Sequence, residues 1–257
     1  MKFFKFTPLV VSFLFLTASF ATRSEASVGA LTDLSSFTQS SVDSIVRTMV
    51  VGGSHRAYRP ATNLGPIGFD VGVEFTLITI PDAFKNAMAL GGTDVSTIPG
   101  SFPVPKLNVQ KGLPWGIDLG ASYISLAGTS VIGFNAQWRF LNNVALPAVA
   151  VRAGYTSFTS SVFPVNSSSF KVDVVASKNL FLIDPYIGAG LELGSGQLNV
   201  DTSALGLPGS VSASSSVSSP HFFIGLPLKL GFIQFVGEYD YSVVAGGTYG
   251  GKASFAF

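Results

Sequence analysis

The chain has 257 residues, 47% of them hydrophobic and only 11% charged, against roughly a quarter charged in an average soluble domain. Its net charge of +1 excludes the broad basic surface that nucleic-acid binding requires. The absence of cysteine excludes disulfides, thiol catalysis, thiolate metal sites and a lipid-modified cysteine.

Taken in chain order, Lys2 and Lys5 form a basic n-region and Leu9 to Leu16 an apolar h-region, so residues 1–26 read as a signal peptide cleaved after Ala21 or Ala26. Residues 27–64 read as an N-terminal helical plug or periplasmic segment. Within it, Leu31, Leu34, Phe37, Ile45 and Met49 fall close to one face of a helix over 31–50. Thr32 or Asp33 is available near its start, and Gly52-Gly53 would stop it.

From residue 65 to the end the apolar period changes from 3.6 to 2. Phe69, Val71, Val73, Phe75 and Leu77 alternate with Gly68, Asp70, Gly72, Glu74 and Thr76. The same alternation runs through Ile117 to Tyr123 and Ile132 to Phe140, and recurs around 147–158, 168–177, 183–194, 219–227, 231–242 and 248–257. A short strand around 105–111 brings the number to about ten, with eight and twelve as the alternatives. Past the first two dozen residues no run reaches the roughly 18 apolar residues of a spanning helix. A closed barrel is then the remaining way to cross lipid, because it leaves no backbone group unpaired. The dyad repeat predicts an all-β membrane protein, an antiparallel transmembrane β-barrel of about ten strands behind a short helical segment. With the N-terminus on the periplasmic side, the connections 81–104, 159–167 and 195–218 face outward, and the connections near 112–114, 142–143, 178–179 and 227–228 are tight turns.

If the apolar positions face lipid, the residues between them line the lumen. The acids are Asp70, Glu74, Asp118, Glu192, Glu238 and Asp240; the bases are Arg139, Arg152, Lys171, Lys229 and Lys252. Near balance in a narrow barrel predicts an ion-pair network. A polar pathway is the sharper alternative. The two histidines are far apart and form no metal cluster: His55 follows the helix, and His221 opens a strand after Ser218-Ser219-Pro220, which puts it at the outer rim. Serines beside them are too common to mark a nucleophile. The Gly188 to Gly194 run has its third glycine misplaced for a nucleotide loop. No catalytic residue, metal or cofactor is expected.

The final strand resembles the terminal strand of Gram-negative outer-membrane barrels, with Tyr249, Phe255 and the last residue Phe257 on alternating positions. Gly251 and Ala253 depart from that pattern, which prefers bulkier residues there. The resemblance implies a cell outer-membrane location, contact with outer-membrane lipid, and recognition of Tyr249, Phe255 and Phe257 by the barrel-assembly machinery. The helical segment ahead of the barrel is similar to the hatch of the fatty-acid transporters, whose barrels are much longer. The function expected is a barrel passing a small or amphipathic solute through a narrow plugged lumen. A structural or surface-interaction barrel without conduction is the alternative, and an outer-membrane hydrolase the third reading.

Overall fold

The computed structural model describes residues 39–257 except 81, 83–84, 86–93, 95, 97–98, 127, 143–144, 161–164 and 202–209. The segment read as a signal peptide, and Leu31, Leu34 and Phe37, lie outside the described residues. Among the described residues one α-helix, α1 (Gln39–Gly53), precedes ten strands: β1 (Phe69–Thr79), β2 (Ser101–Gly112), β3 (Ile117–Leu126), β4 (Thr129–Leu141), β5 (Ala148–Ser160), β6 (Val165–Ser177), β7 (Tyr186–Asp201), β8 (Ser210–Leu230), β9 (Ile233–Ser242) and β10 (Gly246–Ala256). Each strand pairs antiparallel with its sequence neighbour, and β1 pairs with β10 to close the barrel. Phe69 and Phe257 exchange backbone hydrogen bonds of 2.8 and 3.0 Å at that seam. Both chain-terminal strands thus end at one mouth, here the terminal end; the opposite mouth is the loop end.

Ten strands stand where the period-2 pattern puts them, and the differences lie at their ends. The hairpin β7–β8 is longer than expected: 195–201 and 210–218, read as an outer loop, continue the ladder from Leu193↔Ser218 to Asp201↔Ser210. The connection expected at 159–167 shrinks to 161–164, and the turn-side connection after β6 runs from 178 to 185. β2 starts at Ser101 and includes Pro103 and Pro105, which face β1 across the ladder. β3 reaches β2 only from Gly112↔Asp118 to Leu107↔Tyr123. The prolines therefore occupy a stretch with one paired neighbour, where a missing N–H breaks no second ladder.

The alternation places large apolar side chains on the outside. Val73 and Phe134, mid-strand in β1 and β4, are 50% and 49% exposed, while their neighbours Glu74 and Asn135 are buried. Water would penalise such a belt heavily, whereas hydrocarbon solvates it.

Toward the loop end the phase inverts. Val131, Phe158, Val165, Leu198 and Val217 point inward and are buried, while Ser212, Ser214, Ser216 and Ser218 of β8 point out and are exposed. This end is built like a water-soluble domain, polar outside and apolar inside. Its core is α1: Val42, Ile45, Val46, Met49, Val50 and Val51 pack in one cluster with that collar. Burying each such side chain stabilises by roughly 1.5–3 kcal/mol. The expectation of a uniformly polar lumen is thereby corrected: the apolar stripe of α1 finds an apolar collar inside the barrel.

Candidate functional site in the barrel lumen

After α1 the chain continues through the lumen toward the terminal end before entering β1. Residues 49–61 are all buried. The thread touches the wall along its length. His55 reaches Ser122 and Asn135, Tyr58 reaches Thr76, Arg59 reaches Asp70 and Asp118, and the Ala61 N–H donates to Ser177 at 3.1 Å. Thr62 then donates to Asp184 and the Leu64 N–H to Asp118. Tyr58 adopts φ +48°, a left-handed conformation costing a bulky residue about 1–3 kcal/mol. Its fully buried ring and the hydroxyl contact with Thr76 Oγ1 at 3.0 Å hold it there.

The wall answers this thread with charge. Lys106 binds Glu74 at 2.9 Å, and Lys252 binds Asp70 at 2.7 Å. Arg59 stands 3.4 Å from Asp70 and 3.5 Å from Asp118. Arg56 and Lys171 converge on Asp240 at 3.5 and 3.6 Å, and Lys171 also meets Glu192 at 3.6 Å. Arg152 donates to the Gln137 side chain and to the Arg59 carbonyl. Among the described residues, eight buried carboxylates (Asp70, Glu74, Asp118, Asp173, Asp184, Glu192, Glu238, Asp240) face six buried cations (Arg56, Arg59, Lys106, Arg152, Lys171, Lys252). Such mutual pairing is what lets charges persist out of water, since each isolated ion costs several kcal/mol.

Of the lumen residues proposed from sequence, Asp70, Glu74, Asp118, Arg152, Lys171, Glu192, Glu238, Asp240 and Lys252 are buried on the inner face. Arg139 and Lys229 are only partly buried near the turns of the terminal end, where Lys229 pairs with Asp184. Tyr249, Phe255 and Phe257 project outward, each more than half exposed. Sequence reasoning passed over Lys106 and Asp173 on the wall, Asp184 in the connection after β6, and Arg56, Tyr58 and Arg59 on the thread; His55 it placed only as following the helix. Lys106 shares its strand phase with Asn108 and Gln110, and Asp173 shares that of Lys171, so alternation alone could have found both. The thread residues follow no period.

His221 is a correction. It is not at the rim: β8 begins eleven residues before it, which carries the ring into the lumen at 2% exposure. There Nε2 lies 2.9 Å from Asp173 and Nδ1 3.1 Å from Asp240, and Phe223 stacks on it. His55 has Nδ1 at 2.6 Å from Ser122 Oγ and Nε2 at 2.6 Å from Asn135 Oδ1. That atom order matches a nucleophile, base and orienter. Ser122 is buried, however, and the adjoining cavity, lined by both histidines, measures about 20 Å3, room for little more than one water. Gly133 is part of the same clamp, since a Cβ there would stand 2.4 Å from His55 Cβ. Both imidazoles have both nitrogens committed, so neither offers a free base to a substrate.

With this geometry in place, solved structures of similar shape can be compared. The N-terminal β-barrel domain of Pseudomonas aeruginosa OprF is 10% identical, with a TM-score of 0.35, covering 75% of this chain and 99% of that one. Ail of Yersinia pestis, in complex with the heparin analogue sucrose octasulfate, is 12% identical at a TM-score of 0.31, covering 74% and 97%. The translocator domain of the autotransporter NalP from Neisseria meningitidis is 11% identical at 0.34, covering 92% and 99%. No curated protein matches the sequence. Residues 88–255, which take in β2 to β10 and leave out α1, the thread and β1, match one family model. The chain belongs to that family, described as a family of unknown function (DUF6588).

Proposed function

We propose that the chain is an outer-membrane barrel whose lumen is closed by its own N-terminal segment, acting at rest as a structural or surface-interaction barrel without conduction. The observation that carries this reading is the thread of residues 54–64, tied to the wall by Arg56, Arg59 and Thr62. Passage of a small or amphipathic solute, the second reading, would need that thread and α1 to withdraw. The apolar belt and the polar loop end support placement across the outer membrane with the loop end outside. Exposed Tyr249, Phe255 and Phe257 at the closing seam suit recognition by the barrel-assembly machinery. A hydrolase is disfavoured by the two fully committed histidines.

The test is current across a planar bilayer. Full-length protein should insert without a steady current, and a variant lacking residues 28–64 behind an intact leader should conduct. Heat-modifiable gel mobility checks that both are folded. A steady ohmic current from the full-length protein would overturn the closed reading and restore solute passage.

A further inference from the structure

At the loop end α1 sits off centre. Its apolar face meets β5 to β8 and β1, while its other face, with Ser44, Arg47 and Thr48, looks across a crevice at Ile78 of β1, Val244 of the β9–β10 turn and Thr248 of β10. The crevice measures about 250 Å3, far beyond the roughly 10–15 Å3 that one water requires. It stays open because the facing wall is small: Ala245, Gly247 and Thr248 stand where the opposite wall carries Phe158, Leu198 and Val217.

Arg47 sets this space apart. Every fully buried cation of the lumen has a carboxylate, amide or carbonyl oxygen within 3.6 Å. Arg47, half-buried beside the crevice, has no ion pair or hydrogen bond among the described residues. A guanidinium is always charged and presents a planar fork that fits a carboxylate bidentately. Around it stand the hydroxyls of Ser44 and Thr248 and the apolar side chains of Val51, Ile78 and Val244. The set offers one anion contact, a few hydroxyl contacts and an apolar floor.

We infer that this crevice binds a small organic monoanion, a carboxylate on an apolar body the size of one ring or a short alkyl chain, entering from the loop end. The site is separate from the ion-pair network below it and does not depend on whether the lumen conducts.

The test is calorimetric titration of the full-length protein in neutral-lipid nanodiscs, with benzoate as the probe, and acetate and benzyl alcohol as analogues lacking the apolar body or the charge. Benzoate should bind saturably, and each analogue at least about tenfold more weakly, benzyl alcohol because it loses a hydrogen bond to a charged group and acetate because it loses the burial of the ring. Arg47→Gln should weaken benzoate by about tenfold or more. Ala245→Phe, which fills the crevice, should abolish binding. Lys85→Gln, which removes a cation paired with Asp82 outside the crevice, should leave binding unchanged. All three variants should keep heat-modifiable mobility. Benzoate uptake that never saturates, or equal affinity in the wild type, Arg47→Gln and Ala245→Phe, would overturn the proposal.

Discussion

Arginine in place of Val73 or Phe134 should lower folding stability in lipid bilayers by about 2–4 kcal/mol, the cost of that side chain on the lipid face near mid-membrane. Both positions lie at the centres of their strands, β1 and β4, and half of each side chain is open to the surroundings. The same change near either mouth should cost about 0–1 kcal/mol, because the guanidinium reaches water there. Val73→Leu supplies the control for steric change, and denaturant titration into vesicles gives the measurement. Equal stability of Val73→Arg and Val73→Leu would mean that the outer face is not the lipid face. A lumen-side arginine is a poor control at Gly72, since even a Cβ there would come 2.2 Å from the Ala253 carbonyl oxygen.

Arg59→Met should cost about 3–5 kcal/mol, because it leaves a buried carboxylate without its cation. Asp70 keeps Lys252 at 2.7 Å, so the loss falls mainly on Asp118, left with the Leu64 N–H at 3.1 Å. Adding Asp118→Asn to Arg59→Met should then recover part of the stability, since the orphaned charge is gone. If the double variant is no more stable than Arg59→Met alone, the thread is held by packing and not by its charges. Lys85→Gln, which breaks the exposed pair with Asp82, should change stability by less than about 1 kcal/mol.

These two sites also show how much the sequence could tell. The alternation of Asp70, Gly72 and Glu74 with Val71, Val73 and Phe75 is a period-2 signal on a half-buried surface, and it located β1 and its inward charges directly. The same rule hid the loop-end half of β8. There Ala213 and Val217 turn inward and serines outward, so the apolar phase slips relative to Phe222, Ile224 and Leu226, and the low contrast of Ser210 to Ser218 reads as a loop. That misplaced strand start is what put His221 at the rim. The thread was illegible for another reason. Residues 54–64 form neither helix nor strand, and their partners are brought together only by barrel closure, as with His55 and Asn135 or Arg59 and Asp118. Which acids meet which bases is likewise a property of the closed sheet, since Lys252 reaches Asp70 across 182 positions.

The central claim, that the N-terminal segment occupies the lumen, can be tested by cross-linking, because the natural chain has no cysteine. Val50 of α1 lies against Gly194 of β7, with Val50 Cγ1 only 2.5 Å from where a Gly194 Cβ would stand, close enough for sulfurs on the two positions to bond. Ala136 and Ala153 are directly paired across β4 and β5 and serve as the wall control. After membrane extraction and mild oxidation, mass spectrometry of the Val50→Cys/Gly194→Cys variant should show a disulfide in the heat-modifiable, folded form. A folded 50/194 variant whose thiols both remain free for alkylation, while the 136/153 pair cross-links, would contradict the threaded lumen.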